Sequence, residues 1–114
     1  MKFMITIYDN DDSEAAYTGE FREEHRRIHA AVQDELKASG EFVDTHELSV
    51  TDATVVRVHD GTPTITDGPF TEGRELVGGY YIVDCANTER ALAIASRFIE
   101  ARFAPIEVRA LVGD

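Results

Sequence analysis

The sequence predicts one α+β domain in which two helices cover a single face of an antiparallel sheet. Three observations predict it. Short segments alternate apolar and polar residues at period two, a longer segment carries an apolar stripe at helical spacing, and a second helical stretch follows an asparagine suited to capping it.

Residues 2–8, KFMITIY, open the chain as a central strand, with Phe3, Ile5 and Ile7 on one face and Met4, Thr6 and Tyr8 on the other. DNDDSE then has no apolar period and reads as a solvated acidic loop. Across residues 21–39, Phe21, His25, Ile28, Val32, Leu36 and Ser39 fall on one side of a helix. Gly40 stops it where a left-handed cap is wanted. A second strand is expected at 41–48. Val55 to Val58 and Thr64 to Thr66 flank Asp60-Gly61 as a hairpin whose returning strand Pro63 restricts. Gly78-Gly79 leads into the strand YYIVD. Asn87 caps a helix over ERALAIASRFIEAR, with Leu92, Ala95 and Phe98 or Ile99 as its core stripe, and IEVRALV at 106–112 alternates again.

This order is that of a ferredoxin-like split βαβ unit with an inserted β-hairpin. Both faces of its sheet carry apolar groups: Tyr80 and Ile82 oppose Tyr81 and Val83, as Met4 and Tyr8 oppose the Phe3 set. A sheet that is apolar on both sides is normally covered on both. Since 114 residues leave no chain for a second layer, another copy is the expected cover, which makes the protein a homodimer.

Eleven basic against 22 acidic residues give a formal charge of −11, so direct binding to nucleic acid or to an anionic membrane is not expected. The start of the chain resembles neither a signal peptide nor an anchor, and no apolar run is long enough to span a bilayer. The lone Cys85 has no disulfide partner and no cationic neighbours to acidify it, so it reads as structural. A reducing cytoplasm fits this best.

Thr66-Asp67-Gly68-Pro69-Phe70 should form a rigid turn that aims Phe70 in one direction. Glu72, Arg74 and Glu75 follow closely, then Gly78-Gly79, where backbone can pass close to a side chain or ligand. Phe70, Glu72 and Arg74 are therefore candidate substrate contacts. On the last strand, Glu107 and Arg109 share the face opposite Ile106 and Val108, so Arg109 is placed either to anchor an anionic substrate or to pair across the dimer.

As a contiguous string, TDGPFTEGRELVGGYYIVD resembles the signature of the YCII-related family, in its DGPF-motif branch. The opening strand, the hairpin VVRVHDGTPTITDGPF and the final helix and strand extend the resemblance over nearly the whole chain. It implies a ferredoxin-like fold assembled as a dimeric α/β barrel. The sequence departs from the family's pattern at Gly73, Arg74 and Leu76, where threonine, lysine and a polar residue are common. Arginine replaces a lysine charge but not a lysine base.

The resemblance also implies a catalytic histidine on the first helix, about three turns before its terminal glycine, and His29 matches that position. An imidazole titrates near neutrality, as acid/base work requires. Asp34 lies about 140° further round the helix and is a poor partner; Asp67 of the DGPF loop is the alternative orienting carboxylate. His25 points into the middle of the apolar stripe and reads as a buried histidine satisfied by a hydrogen bond. With His29 it has metal-ligand spacing, but no third ligand is evident, so no metal and no cofactor are expected. Two functions follow. One is a cofactorless lyase or isomerase of a small organic molecule; the other is a non-catalytic binding or regulatory module, which the resemblance links to extracytoplasmic-function sigma factors.

Overall fold

The protein is described from a computed structural model covering residues 1–71 and 73–113. Strand β1 (Lys2–Asp9) is followed by a short helix α1 (Asp11–Ala16), the long helix α2 (Gly19–Ser39) and strand β2 (Phe42–Glu47). Strands β3 (Thr54–His59) and β4 (Thr62–Asp67) form the hairpin. Strand β5 (Leu76–Asp84), helix α3 (Thr88–Ala95), a 3-10 turn (Ile99–Arg102) and strand β6 (Ile106–Ala110) complete the chain. The main sheet has the order β2-β5-β1-β6, with all neighbours antiparallel. This is the ferredoxin-like arrangement, with β3 and β4 as a separate two-stranded ribbon inserted before β5.

Side-chain alternation decides where the core lies. Phe3, Ile5, Ile7, Tyr81 and Val83 point to the helical side and are buried with Val32, Leu36, Ala91, Ile94 and Phe98. On the opposite face Met4, Tyr8, Tyr80 and Ile82 are only half-buried. Gly40 takes φ 82° and returns its N–H to the carbonyls of Leu36 and Lys37, closing α2 as expected. Asp60 and Gly61 both have positive φ, the turn that matches the right-handed twist of a two-residue hairpin.

Four expectations change. The acidic run DNDDSE is not a solvated loop: Asn10 and Ser13 form a reciprocal capping box, both are buried, and the acids of α1 lie in its first turn where the helix dipole favours them. Gly78 and Gly79 lie inside β5, not ahead of it. Leu92 is exposed, and the buried face of α3 is Ala91, Ile94 and Ala95. Most consequentially, the last helix stops at Ala95 instead of running to 102, and a 3-10 turn with different rotation per residue carries Phe98, Ile99 and Glu100 inward.

Candidate active site

A cleft of about 850 Å³ opens between α2, α1 and the ends of β1, β2 and β5. Its wall on α2 carries Phe21, His25, His29 and Gln33, and its floor is Tyr81 and Glu100. Helical periodicity puts the four α2 residues on one side of the helix, one turn apart. Position 81 points toward the helices because β5 alternates, and Glu100 arrives from the 3-10 turn.

These groups form a single hydrogen-bonded cluster. Glu100 Oε2 lies 3.0 Å from His25 Nε2 and 2.8 Å from His29 Nε2, and Oε1 lies 3.0 Å from His29 Nε2. His29 Nδ1 is 2.8 Å from the Tyr81 hydroxyl, which also accepts from Gln33 Nε2 at 3.0 Å. Burial alone would raise the Glu100 carboxyl, but the hydrogen bonds from His25 and His29 hold it at about 2. It is therefore an acceptor only, so each imidazole presents Nε2–H to it. With His29 neutral, the Tyr81 hydroxyl then donates to the lone pair at His29 Nδ1.

His25 differs from His29 in one respect. Its Nδ1 has no hydrogen-bond partner among the described residues, and the side chain keeps 23% of its exposure. The bond to Glu100 raises its pKa above 6.5 against the opposing effect of burial. An oriented imidazole with one free nitrogen and a buried carboxylate behind it is the arrangement of a general base.

The glycine pair shapes the same cleft. A Cβ at Gly78 would stand 1.9 Å from Asp9 Oδ2, and one at Gly79 would stand 2.9 Å from the backbone oxygen of His46. What passes close is thus a carboxylate and a neighbouring strand. Burial raises the Asp9 carboxyl, which also accepts from Ser13 at 3.3 Å.

The site residues named from the sequence divide between this cleft and other surfaces. His29 is in the cluster. Arg74 lines the cleft, exposed and 3.3 Å from Asp12. Asp67 ends β4 opposite Thr54 and is exposed, and neither it nor Asp34 touches the His29 nitrogens, whose carboxylate is Glu100. Phe70 is 59% exposed with the Arg57 guanidinium 5.8 Å from its ring. Arg109 is exposed on β6 opposite Met4, and Glu72 lies outside the described residues. The supposition that His25 and His29 lack a third ligand is overturned, because Glu100 brings a carboxylate to both. Glu100, Tyr81 and Gln33 were missed. Periodicity extended α3 through Glu100, and Tyr81 read as core.

Comparison with known proteins identifies relatives of the chain. An uncharacterised protein of Rhizobium meliloti (strain 1021) is 31% identical over 96 residues, covering 83% of this chain and 77% of that one. Among solved structures, the 5-chloro-2-hydroxyhydroquinone dehydrochlorinase TftG of Burkholderia phenoliruptrix, in complex with 2,5-dihydroxybenzoquinone, superposes with a TM-score of 0.57 at 18% identity. That match covers 97% of this chain and 93% of TftG, and it shows a shared fold. The model of the YCII-related domain matches residues 1–112, so the chain, with its DGPF motif at residues 67–70, belongs to the YCII-related family.

Proposed function

We propose that the cleft is the active site of a lyase or isomerase that moves a proton on a small organic molecule by histidine acid/base chemistry. The observation that carries this is His25, clamped through Nε2 to the buried Glu100 and left with a free Nδ1 at the cleft wall. In the proposed step His25 Nδ1 takes a proton from a substrate carbon. The electron pair left behind forms a double bond as a leaving group departs from the adjacent carbon, or is reprotonated elsewhere in an isomerisation. Glu100 stabilises the imidazolium that results. His29 is the second acid/base group, joined to Tyr81 and Gln33.

The shared fold with a dehydrochlorinase supports the reading, since elimination from a hydroxylated ring is such a lyase step. Tyr17 and Phe21 line the cleft, and Arg74 stands at it to meet a substrate oxygen. We also propose a homodimer assembled through the half-buried sheet face, in which Asp67, Phe70 and Arg109 are contacts that a second copy supplies. A regulatory module would need neither a buried carboxylate under two imidazoles nor an open cleft above them.

Screening hydroxylated and chlorinated aromatic compounds for elimination or isomerisation tests the proposal. With a substrate in hand, His25→Ala should cost on the order of 10²–10⁴ in turnover, and His29→Ala should also be impaired. The wild-type rate should rise with pH through a value above 6.5, as His25 deprotonates. Undiminished turnover in both His25→Ala and Glu100→Gln would sink it.

A further inference from the structure

We propose that His25, His29 and Glu100 form a binding site for one divalent first-row transition ion of the zinc class. Their ligand atoms lie within 4.8 Å of one another, and the closer distances, 2.8 and 3.0 Å from each Nε2 to Glu100 Oε2, already converge on one point. Ligands about 2.0–2.2 Å from a tetrahedral ion stand roughly 3.3–3.5 Å apart. Inserting an ion thus asks the carboxylate to retreat by a few tenths of an ångström and the widest separation in the group, up to 4.8 Å, to close toward that spacing. The two rings already lie beside each other, with centroids 4.4 Å apart.

Donor chemistry selects the ion. Two imidazoles and one carboxylate suit zinc, cobalt, nickel or ferrous iron, whereas magnesium and calcium prefer oxygen alone. Three protein ligands beside a cleft leave a fourth position for water or substrate, as catalytic zinc sites do. The supporting shell is also present. With an ion on Nε2 each ring carries its proton on Nδ1, so His29 Nδ1–H donates to the Tyr81 oxygen at 2.8 Å. That oxygen has a second lone pair for Gln33. Such an outer hydrogen bond fixes the ring that ligates a metal. The side chains retain only 23%, 14% and 9% of their exposure, which sets the cluster apart from surface histidines such as His59, 90% exposed at the hairpin tip. The ion would take the place of the two N–H contacts to Glu100, giving the cluster a metal-loaded and a proton-loaded state.

The test does not depend on knowing a substrate. Cobalt(II) is titrated into the chelator-stripped full chain and its visible absorption followed. Expected are the intense bands of a four- or five-coordinate ion, saturating at one equivalent and displaced by zinc. His25→Ala and His29→Ala should each weaken binding at least tenfold, and His59→Ala should leave it unchanged. Should either alanine variant fail to fold, imidazole nitrogen spectra of the unaltered protein decide: zinc should move the Nε2 signals of two of the four histidines. Absence of those shifts, a weak six-coordinate cobalt spectrum, or binding lost in His59→Ala but kept in the cluster variants would each overturn the proposal. Turnover by stripped protein would leave the acid/base reading standing without the metal, and metal binding without turnover the reverse.

Discussion

Glu100 is 7% exposed and nevertheless ionised, because two imidazoles donate to it in place of the water it lost. Its folded pKa of about 2 lies below the unfolded 4.5, so it contributes stability that is full above 4.5 and is lost as pH falls from 4.5 toward 2. That difference corresponds to a contribution on the order of 3 kcal/mol. His25 has the opposite sign: its raised pKa adds stability below 6.5 that is lost as pH climbs through the folded value. Asp9, raised by burial, costs stability above 3.8 and so offsets part of the Glu100 contribution. Urea unfolding of wild type and Glu100→Gln at several pH values isolates one group. Near pH 5.5 the variant should be less stable by roughly 1.5–3 kcal/mol, and the difference should shrink toward pH 2. A pH-independent difference would show that the carboxylate's charge is not what matters.

At the scale of elements, β5 is built to let its neighbours approach. Gly78→Ala sets a methyl against the Asp9 carboxylate, and Gly79→Ala sets one against the backbone of β2. Each should cost roughly 1–3 kcal/mol, but by different means. Removing the carboxylate with Asp9→Ala should recover much of the Gly78→Ala loss and none of the Gly79→Ala loss, because a backbone carbonyl cannot be trimmed. A double-mutant cycle by denaturant titration reads this directly, and additivity of Asp9→Ala with Gly78→Ala would refute it. Helix α1 depends on Asn10, whose side chain caps Ser13 N–H at 2.9 Å and also reaches the Phe103 carbonyl at 2.7 Å. Asn10→Ala should therefore cost more than the ~1 kcal/mol of a cap alone, measured as a fall in the thermal midpoint.

For the whole molecule, the hairpin dominates the outline. The radius of gyration is 15.9 Å, against about 13 Å for a compact chain of this length. Val56, Val58 and Ile65 remain 60–70% exposed on the ribbon, with Val56 opposite Ile65. Together with Met4, Tyr80 and Ile82 on the half-buried sheet face, they are surface that the proposed dimer would cover. Sedimentation should give twice the 12.7 kDa chain mass, and Ile82→Lys should yield monomers with the cluster around Glu100 intact. A monomeric wild type would remove the dimer from the proposal and leave the cleft's own chemistry in place.

What the sequence alone determined is local and periodic. Alternation in β1, β5 and β6, the stripe of α2, the Gly40 stop and the Asp60-Gly61 turn each depend on a few consecutive residues, and together they were enough for the order of elements, while the family was legible in the resemblance of the string TDGPFTEGRELVGGYYIVD. His29 was legible through the family resemblance. The carboxylate partner was not, because Glu100 meets His29 across 71 residues of chain and only after the last helix breaks at Ala95. Periodicity cannot register that break, since ERALAIASRFIEAR satisfies a helical pattern throughout. Tertiary packing ends the helix and turns Glu100 inward. It thereby decided that this fold holds a buried carboxylate beneath two imidazoles.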